Sequence, residues 1–301
     1  MVVYRYREFS YIDLGGTLYT PAINKNILQI ANGQKFPFLR SVVFCLEDAI
    51  KDYQVEDAIE KIKNFLKEYK RSDIKVFIRP RDEKNLKTLL ELEGIENIDG
   101  FALPKISFKN IQNYFDILNQ TDQKYHLMPV LESKDIFQST ALKYIKDYLS
   151  NHKKHNILTL RFGAEDMFAY LGLKKRCDES IHDFHISSKV IGDILSIFKT
   201  NRFNVTAPVY NCLENVDIFK NEVLRDIKEG FFGKTVIHPN QAKIINELYK
   251  VSNDQLNEAK EILNIENEAI FRFQDSMCEP QAHKYWANNI IKRYKTYGVK
   301  G

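Results

Sequence analysis

The stretch LRFGAEDMF, Leu160–Phe168, decides how this chain is read. An apolar run beginning at Ile157 stops at Gly163, and two adjacent carboxylates, Glu165 and Asp166, follow where a chain leaving a strand would turn into a helix. Acids set directly behind buried strand residues are not the signature of an open helix face. They point to a strand whose end opens on something polar.

The same layout recurs on both sides. Apolar segments occur at 17–22 (TLYTPA), 41–48 (SVVFCLED), 75–81 (KVFIRPR), 100–105 (GFALPK), 126–133 (HLMPVLES), 157–166 (ILTLRFGAED), 203–210 (FNVTAPVY) and 233–239 (GKTVIHP). Amphipathic stretches such as QVEDAIEKIKNFLKEY alternate with them. The apolar segments are continuous, as expected for parallel strands buried on both faces. Eight of them alternating with helices predict an α/β fold, a (β/α)8 TIM barrel spanning 10–250, with an open doubly wound sheet as the competing arrangement. No linker rich in Gly, Pro or Ser divides the chain. Beyond Val251, SNDQLNEAKEILNIENEAIFRF reads as one helix started by a Ser/Asn/Asp cap, and HKYWANNIIKRYKTYG as a last helix. Together they predict a C-terminal helical extension over 251–301.

Bulk properties narrow the function classes. Of 301 residues, 44% are hydrophobic and 28% charged, an ordinary globular composition. Forty-four basic against 40 acidic residues, scattered in both signs, leave +4 and argue against a nucleic-acid surface. No apolar run is long enough for a membrane span, and the N-terminal residues do not read as a signal peptide. Cys45, Cys177, Cys212 and Cys278 lie far apart, without zinc-finger spacing, and read as the sparse thiols of a cytoplasmic protein.

Charge collects at the strand ends: Glu47 and Asp48, Arg79 and Arg81, Lys105, Glu132, then Glu165 and Asp166, with Tyr210 and His238 ending the last two strands. The strand interiors read as almost free of charge. In a barrel these ends share the face that carries the active site. Glu132 and Asp166 would sit on adjacent strands at one level, where two carboxylates repel unless a cation neutralises them. Mg²⁺ suits such a pair, since it takes one or two carboxylates and leaves positions for substrate oxygens. Gly163 would allow a sharp turn, and the amides of Ala164 and Glu165 could then face a substrate carboxylate. A rim of structural salt bridges is the plainer account of any one of these residues. The whole set argues for function, because buried ion pairs stabilise weakly.

Elsewhere, IHDFH (181–185) reads as a solvated loop, HKKH (152–155) as a solvated turn on the opposite face, His238 as structural, and Trp286 as the anchor of the last helix. No glycine-rich phosphate loop occurs.

The segments YTPA, VVFCLEDAI, IRPR, LPK, LES, FGAEDMFAYLG and GFFGKTVIHPNQ, in order within a match running from about Thr17 to Leu263, resemble the citrate lyase β-subunit-like family of the HpcH/HpaI aldolase and malyl-CoA lyase superfamily. The resemblance implies a Mg²⁺-dependent TIM barrel that makes or breaks a carbon–carbon bond beside a carboxylate or thioester carbonyl. It implies Glu132 and Asp166 as metal ligands and Arg79 as the residue on the substrate carbonyl or enolate oxygen. Glu47, Asp48 and Lys105 would be the proton-handling groups, and Pro21 and Ala22 would lie near the nucleotide end of coenzyme A, where coenzyme A is part of the substrate. Two positions depart from the family pattern, with Cys45 and Ala207 standing where acids are expected. The expectation is a carbon–carbon lyase acting on a 2-oxo or 3-hydroxy acid or its acyl-CoA, as a homo-oligomer. Malate synthase-like condensation and a non-catalytic ligand-binding barrel are the rival readings.

Overall fold

The structure is a computed structural model that describes residues 6–264 and 269–301. The chain divides into two compact units, one up to Lys243 and one from Ile244 onward.

The first unit runs β1 (Gly16–Pro21), α1 (Ile27–Ala31), β2 (Ser41–Cys45), α2 (Val55–Glu68), β3 (Lys75–Arg79), α3 (Glu83–Leu90), β4 (Gly100–Leu103), α4 (Ile111–Asn119), β5 (His126–Leu131), α5 (Ser139–Asn151), β6 (Asn156–Ile157), β7 (Leu160–Phe162), α6 (Ala164–Tyr170), α7 (His185–Lys199), β8 (Val205–Thr206), α8 (Val216–Glu229) and β9 (Lys234–Val236). A further helix, α9 (Pro239–Leu248), crosses the division. The strands are short apolar runs; β2 and β5 are buried at every residue. The helices are amphipathic: α2 buries Ala58, Ile62, Phe65 and Leu66, spaced to share one face.

All neighbouring strands of the first unit are parallel, in the order β8-β7-β5-β4-β3-β2-β1-β9. The ends of that order meet. Ala207 bridges Lys234, the Ala207 N–H donates to Gly233 O at 2.9 Å, and Phe232 N–H donates to Val205 O at 3.1 Å. The sheet is thus an eight-position TIM barrel. Its sixth position is split rather than continuous: β6 and β7 both pair with β5, and Leu158–Thr159 lie between them. The break falls where Leu158 N–H still bonds Leu127 O on β5 while Leu160 N–H turns to Asn204 O on the next strand's approach.

Side chains alternate along each strand. One interior layer is Leu14, Val43, Phe77, Ala102, Met128 and Leu158, with Phe9 and Tyr11 packed against it from the segment before β1. Two residues further along, Cys45, Arg79 and Val130 line a cavity instead. The segment before β1 is fixed by Arg7, whose guanidinium pairs with the buried Asp99 at 2.7 Å, and by Ser10, which caps a 3-10 turn over Tyr11–Leu14.

The second unit corrects one expectation. Helix α10 (Asn253–Leu263) ends because Asn264 adopts extended backbone, and a hairpin of β10 (Phe271–Phe273) and β11 (Ser276–Cys278) precedes α11 (Pro280–Tyr297). The single helix read from 252 to 273 is therefore a helix and a strand, its residues 265–268 lying outside the described ones. Val251, Leu256, Ala259, Ile262, Cys278, Ala287 and Ile290 form the core of this unit. Trp286 is not an anchor: it is 38% exposed, while Ala287 and Ile290 carry the buried face of α11.

Candidate active site

Arg79, the last residue of β3, organises the open end of the barrel. It is buried, and its Nη2 lies 2.6 Å from Glu132 Oε1 and 2.6 Å from Glu47 Oε2, with Asp48 Oδ2 at 3.7 Å. Lys105, just past β4, places Nζ 2.6 Å from Glu47, 3.3 Å from Asp48 and 4.0 Å from Asp166, while its N–H donates to Glu132 Oε1 at 2.9 Å. Lys105 reaches this pose with a left-handed φ of 48°. Arg81 braces the loop after β2 through the carbonyls of Leu46, Glu47 and Ile50, which fixes where Glu47 and Asp48 stand. The expected acids and bases at the ends of β2, β3, β4, β5 and β7 are thus in one interacting cluster.

Burial and crowding set their electrostatics. Burial pushes the Glu132 carboxyl up to about 7; Arg79 opposes the rise, and the charges of Asp166 and Glu47 add to it. Burial likewise raises Glu47 against the pull of Arg79, and raises Asp166 against that of Lys105. Burial also drives Asp48 upward, but the hydrogen bond from Glu47 and the charges of Arg79 and Lys105 win and hold it below the usual range. Lys105 is shifted up in spite of partial burial, by its hydrogen bond to Glu47 and the acids around it. A carboxylate whose ionised form is disfavoured by burial, and further by neighbouring acids, gains most from an added cation.

Gly163 explains itself at this point. Its backbone is extended, with φ −99° and ψ 95°, so the sharp turn expected of it is absent. A Cβ there would lie 2.5 Å from Glu132 Oε2 and 2.6 Å from Glu132 Cβ. Only a glycine lets β7 pass this close to the Glu132 carboxylate. Glu132, Gly163, Ala164, Glu165 and Asp166 all line one cavity of about 290 Å³. Among the described residues no group of three or more His, Cys, Asp or Glu could hold a metal ion. The donor set is the carboxylate pair, which is the set Mg²⁺ uses when water and substrate fill its remaining positions. Glu132 Oε1 is taken by Arg79 and the Lys105 amide, and Oε2 lies against Gly163 in the wall of the cavity that Asp166 also lines. The residues present fit that ion.

Other expected residues fall elsewhere. Ala22 is fully buried, its N–H bonded to Cys45 O at 3.0 Å, and neither it nor Pro21 lines the cavity. Tyr210 points away to donate to Cys177 O at 2.8 Å. His238 Nδ1 accepts the Asn240 N–H at 3.2 Å. Cys45, where the resemblance leads to an acid, lines the cavity beside Arg79, its register partner on β3, as a buried thiol shifted up chiefly by desolvation.

The charge-free strand interiors of the sequence reading need correction. Arg161 on β7 and Lys234 on β9 are both 1% exposed. Lys234 Nζ sits 2.9 Å from Glu222 and 2.7 Å from Asp226, and Asp226 also meets His182 Nε2 at 2.8 Å. The IHDFH segment is therefore only partly solvated: Asp183 and His185 are exposed, but His182 is buried in this network and Ile181 N–H bonds Glu222 at 3.0 Å. Nor is HKKH wholly solvated, because His155 is buried against Tyr125 and Leu118. Cys177 and Cys212 form a disulfide between the segment after α6 and the one after β8, so only Cys45 and Cys278 are free. Two of the four thiols behind the cytoplasmic reading are thereby removed. Among the described residues no helix is long and apolar enough to cross a membrane.

A parallel eight-position barrel with arginine, lysine and paired carboxylates around its mouth is an enzyme-like TIM barrel. The chain belongs to the C-C_Bond_Lyase family of the TIM-barrel fold, whose model matches residues 8–299. Similar solved structures include the protein CitE from Mycobacterium tuberculosis in complex with magnesium, acetoacetate and coenzyme A (17% identity, TM-score 0.69, covering 95% of this chain and 99% of that one). RipC from Yersinia pestis is also similar (20% identity, TM-score 0.62, covering 82% and 100%). So is the citrate lyase β subunit from M. tuberculosis complexed with oxaloacetate and magnesium (17% identity, TM-score 0.57, covering 79% and 98%). At these identities the likeness is one of fold. No curated protein matches the chain significantly.

Proposed function

We propose that this chain is a Mg²⁺-dependent carbon–carbon lyase of the aldolase type, acting through an enolate on a small 2-oxo or 3-hydroxy acid or its acyl-CoA. The observation that carries this reading is the convergence of Glu132 and Asp166 on one cavity, with Arg79 bonded to Glu132 and Glu47 beside it. Bound between Glu132 and Asp166, Mg²⁺ would polarise the substrate oxygen that gains charge, a Lewis-acid contribution of several kcal/mol. Every other part is played by groups of this chain. Arg79 offers that oxygen a charge-assisted hydrogen bond; losing one such preorganised donor typically costs about 10²–10³ in rate. The free amides of the first turn of α6, at Ala164 and Glu165, face the substrate carboxylate. Glu47, raised by burial and bonded to Lys105, holds or returns the proton of the departing fragment, and Asp48 keeps Lys105 in place. Lys105 is held protonated by these acids, so it is no Schiff-base nucleophile.

A cavity of about 290 Å³ takes a short acid. Coenzyme A, where the substrate carries it, would leave its bulk outside, and the burial of Ala22 argues against that residue as its contact. We extend the proposal to homo-oligomer assembly on the resemblance alone, which light scattering tests, and to a cytoplasmic setting on the sparse thiols, a ground the Cys177–Cys212 disulfide weakens.

The test is turnover of a panel of free 2-oxo-hydroxy acids, malyl-CoA and citramalyl-CoA, against acetyl-CoA plus glyoxylate. The cleavage arm should respond to Mg²⁺ and disappear in Asp166→Asn with the fold intact by circular dichroism. Activity confined to the condensation arm would replace the lyase reading with a synthase. Wild-type turnover by Asp166→Asn at limiting Mg²⁺ would remove the metal site.

A further inference from the structure

Arg161 is unlike the other cations of the mouth, because it does not sit at a strand end. It lies two residues before Gly163 on β7, on the same inward-facing side, so at about 3.3 Å per residue it is some 6–7 Å deeper in the barrel. From β7 its side chain crosses the interior. Nη2 meets Thr235 Oγ1 of β9 at 3.0 Å, Nη1 lies 3.4 Å from Thr17 Oγ1 of β1, and the guanidinium stands 5.1 Å from the Tyr19 ring centroid. Arg161, Thr235 and Tyr19 all line the cavity that Glu132 and Asp166 line from above. The cavity therefore has two ends of different chemistry: carboxylates with Arg79 at its mouth, and a guanidinium flanked by hydroxyls and a phenol at its floor. A planar guanidinium with adjacent hydroxyl groups is a carboxylate-recognising set.

We propose that Arg161 is a substrate-binding residue that selects acids carrying a second carboxylate, one short chain away from the end that meets Glu132, Asp166 and Arg79. The inference rests on the reading of that upper end as the metal and reaction end. Its physical content is a difference in affinity. A site built around a charged group discriminates against an analogue lacking the opposite charge, because the second carboxylate adds a charge-assisted pair to the hydroxyl contacts the guanidinium already makes, and a methyl adds none.

The test is calorimetric binding of malate and of 2-hydroxybutyrate, which carry the same hydroxy-acid end and differ by a carboxylate against a methyl, each with and without saturating Mg²⁺. Wild type should favour malate by roughly 10–100-fold, the worth of one charge-assisted pair. Arg161→Gln should bring the ratio close to one, and Arg161→Lys should keep part of it. A wild-type ratio near one, or an unchanged ratio in a folded Arg161→Gln, would overturn the proposal. If Arg161→Gln fails to fold, Thr235→Val decides: loss of the 3.0 Å hydroxyl should shift the ratio several-fold, and no shift overturns the assignment. The upper-end reading is scored separately by Mg²⁺. If Mg²⁺ tightens neither acid in wild type and Asp166→Asn behaves identically, that reading falls, while a malate preference lost in Arg161→Gln still upholds the role of Arg161.

Discussion

Replacing Gly163 by alanine tests the site's construction with a single methyl group. The new Cβ would stand 2.5 Å from Glu132 Oε2 and 2.6 Å from Glu132 Cβ, distances at which something must move. If β7 yields, overpacking costs about 1–3 kcal/mol of stability. If Glu132 yields, it leaves Arg79 at 2.6 Å and the Lys105 N–H at 2.9 Å, and Mg²⁺ binding weakens about 10–100-fold, as when a ligand's supporting contacts are cut. The internal control is Gly192, inside α7, where an added Cβ meets nothing within 4 Å. Gly192→Ala should stabilise by about 0.5–1 kcal/mol, the ordinary helix gain. Urea unfolding and Mg²⁺ titration calorimetry on both variants give the answer. Gly163→Ala with wild-type stability and wild-type Mg²⁺ affinity would refute the claim that this glycine is required by Glu132.

Three further outcomes are expected. His126 and His155 are each fixed as the neutral Nε2–H tautomer: Nε2–H donates to a carbonyl (Arg7 and Leu118), and Nδ1 accepts an N–H (Asn156 and Tyr125). Burial holds both at about 4, below the unfolded value near 6.5, so their contribution is complete above pH 6.5 and is lost as pH falls towards 4. Unfolding free energy should drop by up to about 1.4 kcal/mol per pH unit per histidine across that window, and removing either ring should flatten the slope. Lys234→Met leaves Glu222 and Asp226 buried without their cation and should cost about 3–5 kcal/mol in urea unfolding; a cost near zero would show the network to be dispensable. Reducing the Cys177–Cys212 disulfide, which spans 35 residues, should cost about 3–4 kcal/mol of loop-closure stabilisation, read as a lower melting temperature that the double serine variant reproduces.

The barrel was legible because strands buried on both faces must be apolar throughout, and all eight such runs are strand positions. What escaped was non-local. Nothing near Ile157 announces that hydrogen bonding changes partner at Leu158–Thr159, because the partner, Asn204, lies far along the chain. Arg161 and Lys234 looked like single polar interruptions of apolar runs, and only the register turns them inward. His182 looked solvated because its partners, Asp226 and beyond it Lys234 and Glu222, come from α8 and β9. The end-of-strand acids were found by topology: once eight ends share a face, Glu47, Glu132 and Asp166 become neighbours whatever their separation in sequence. Gly163 was picked out correctly but for the wrong cause, since backbone freedom and lack of bulk leave the same letter in the chain.

The apolar layer below the cavity, with Phe9 and Tyr11 wedged under it, makes the barrel a vessel stoppered at its base. Whatever reacts inside must enter and depart by the same opening. For a cleavage reaction this imposes an order: the fragment seated deeper waits until the outer one has gone, so exchange of products rather than bond breaking can set the pace of the cycle.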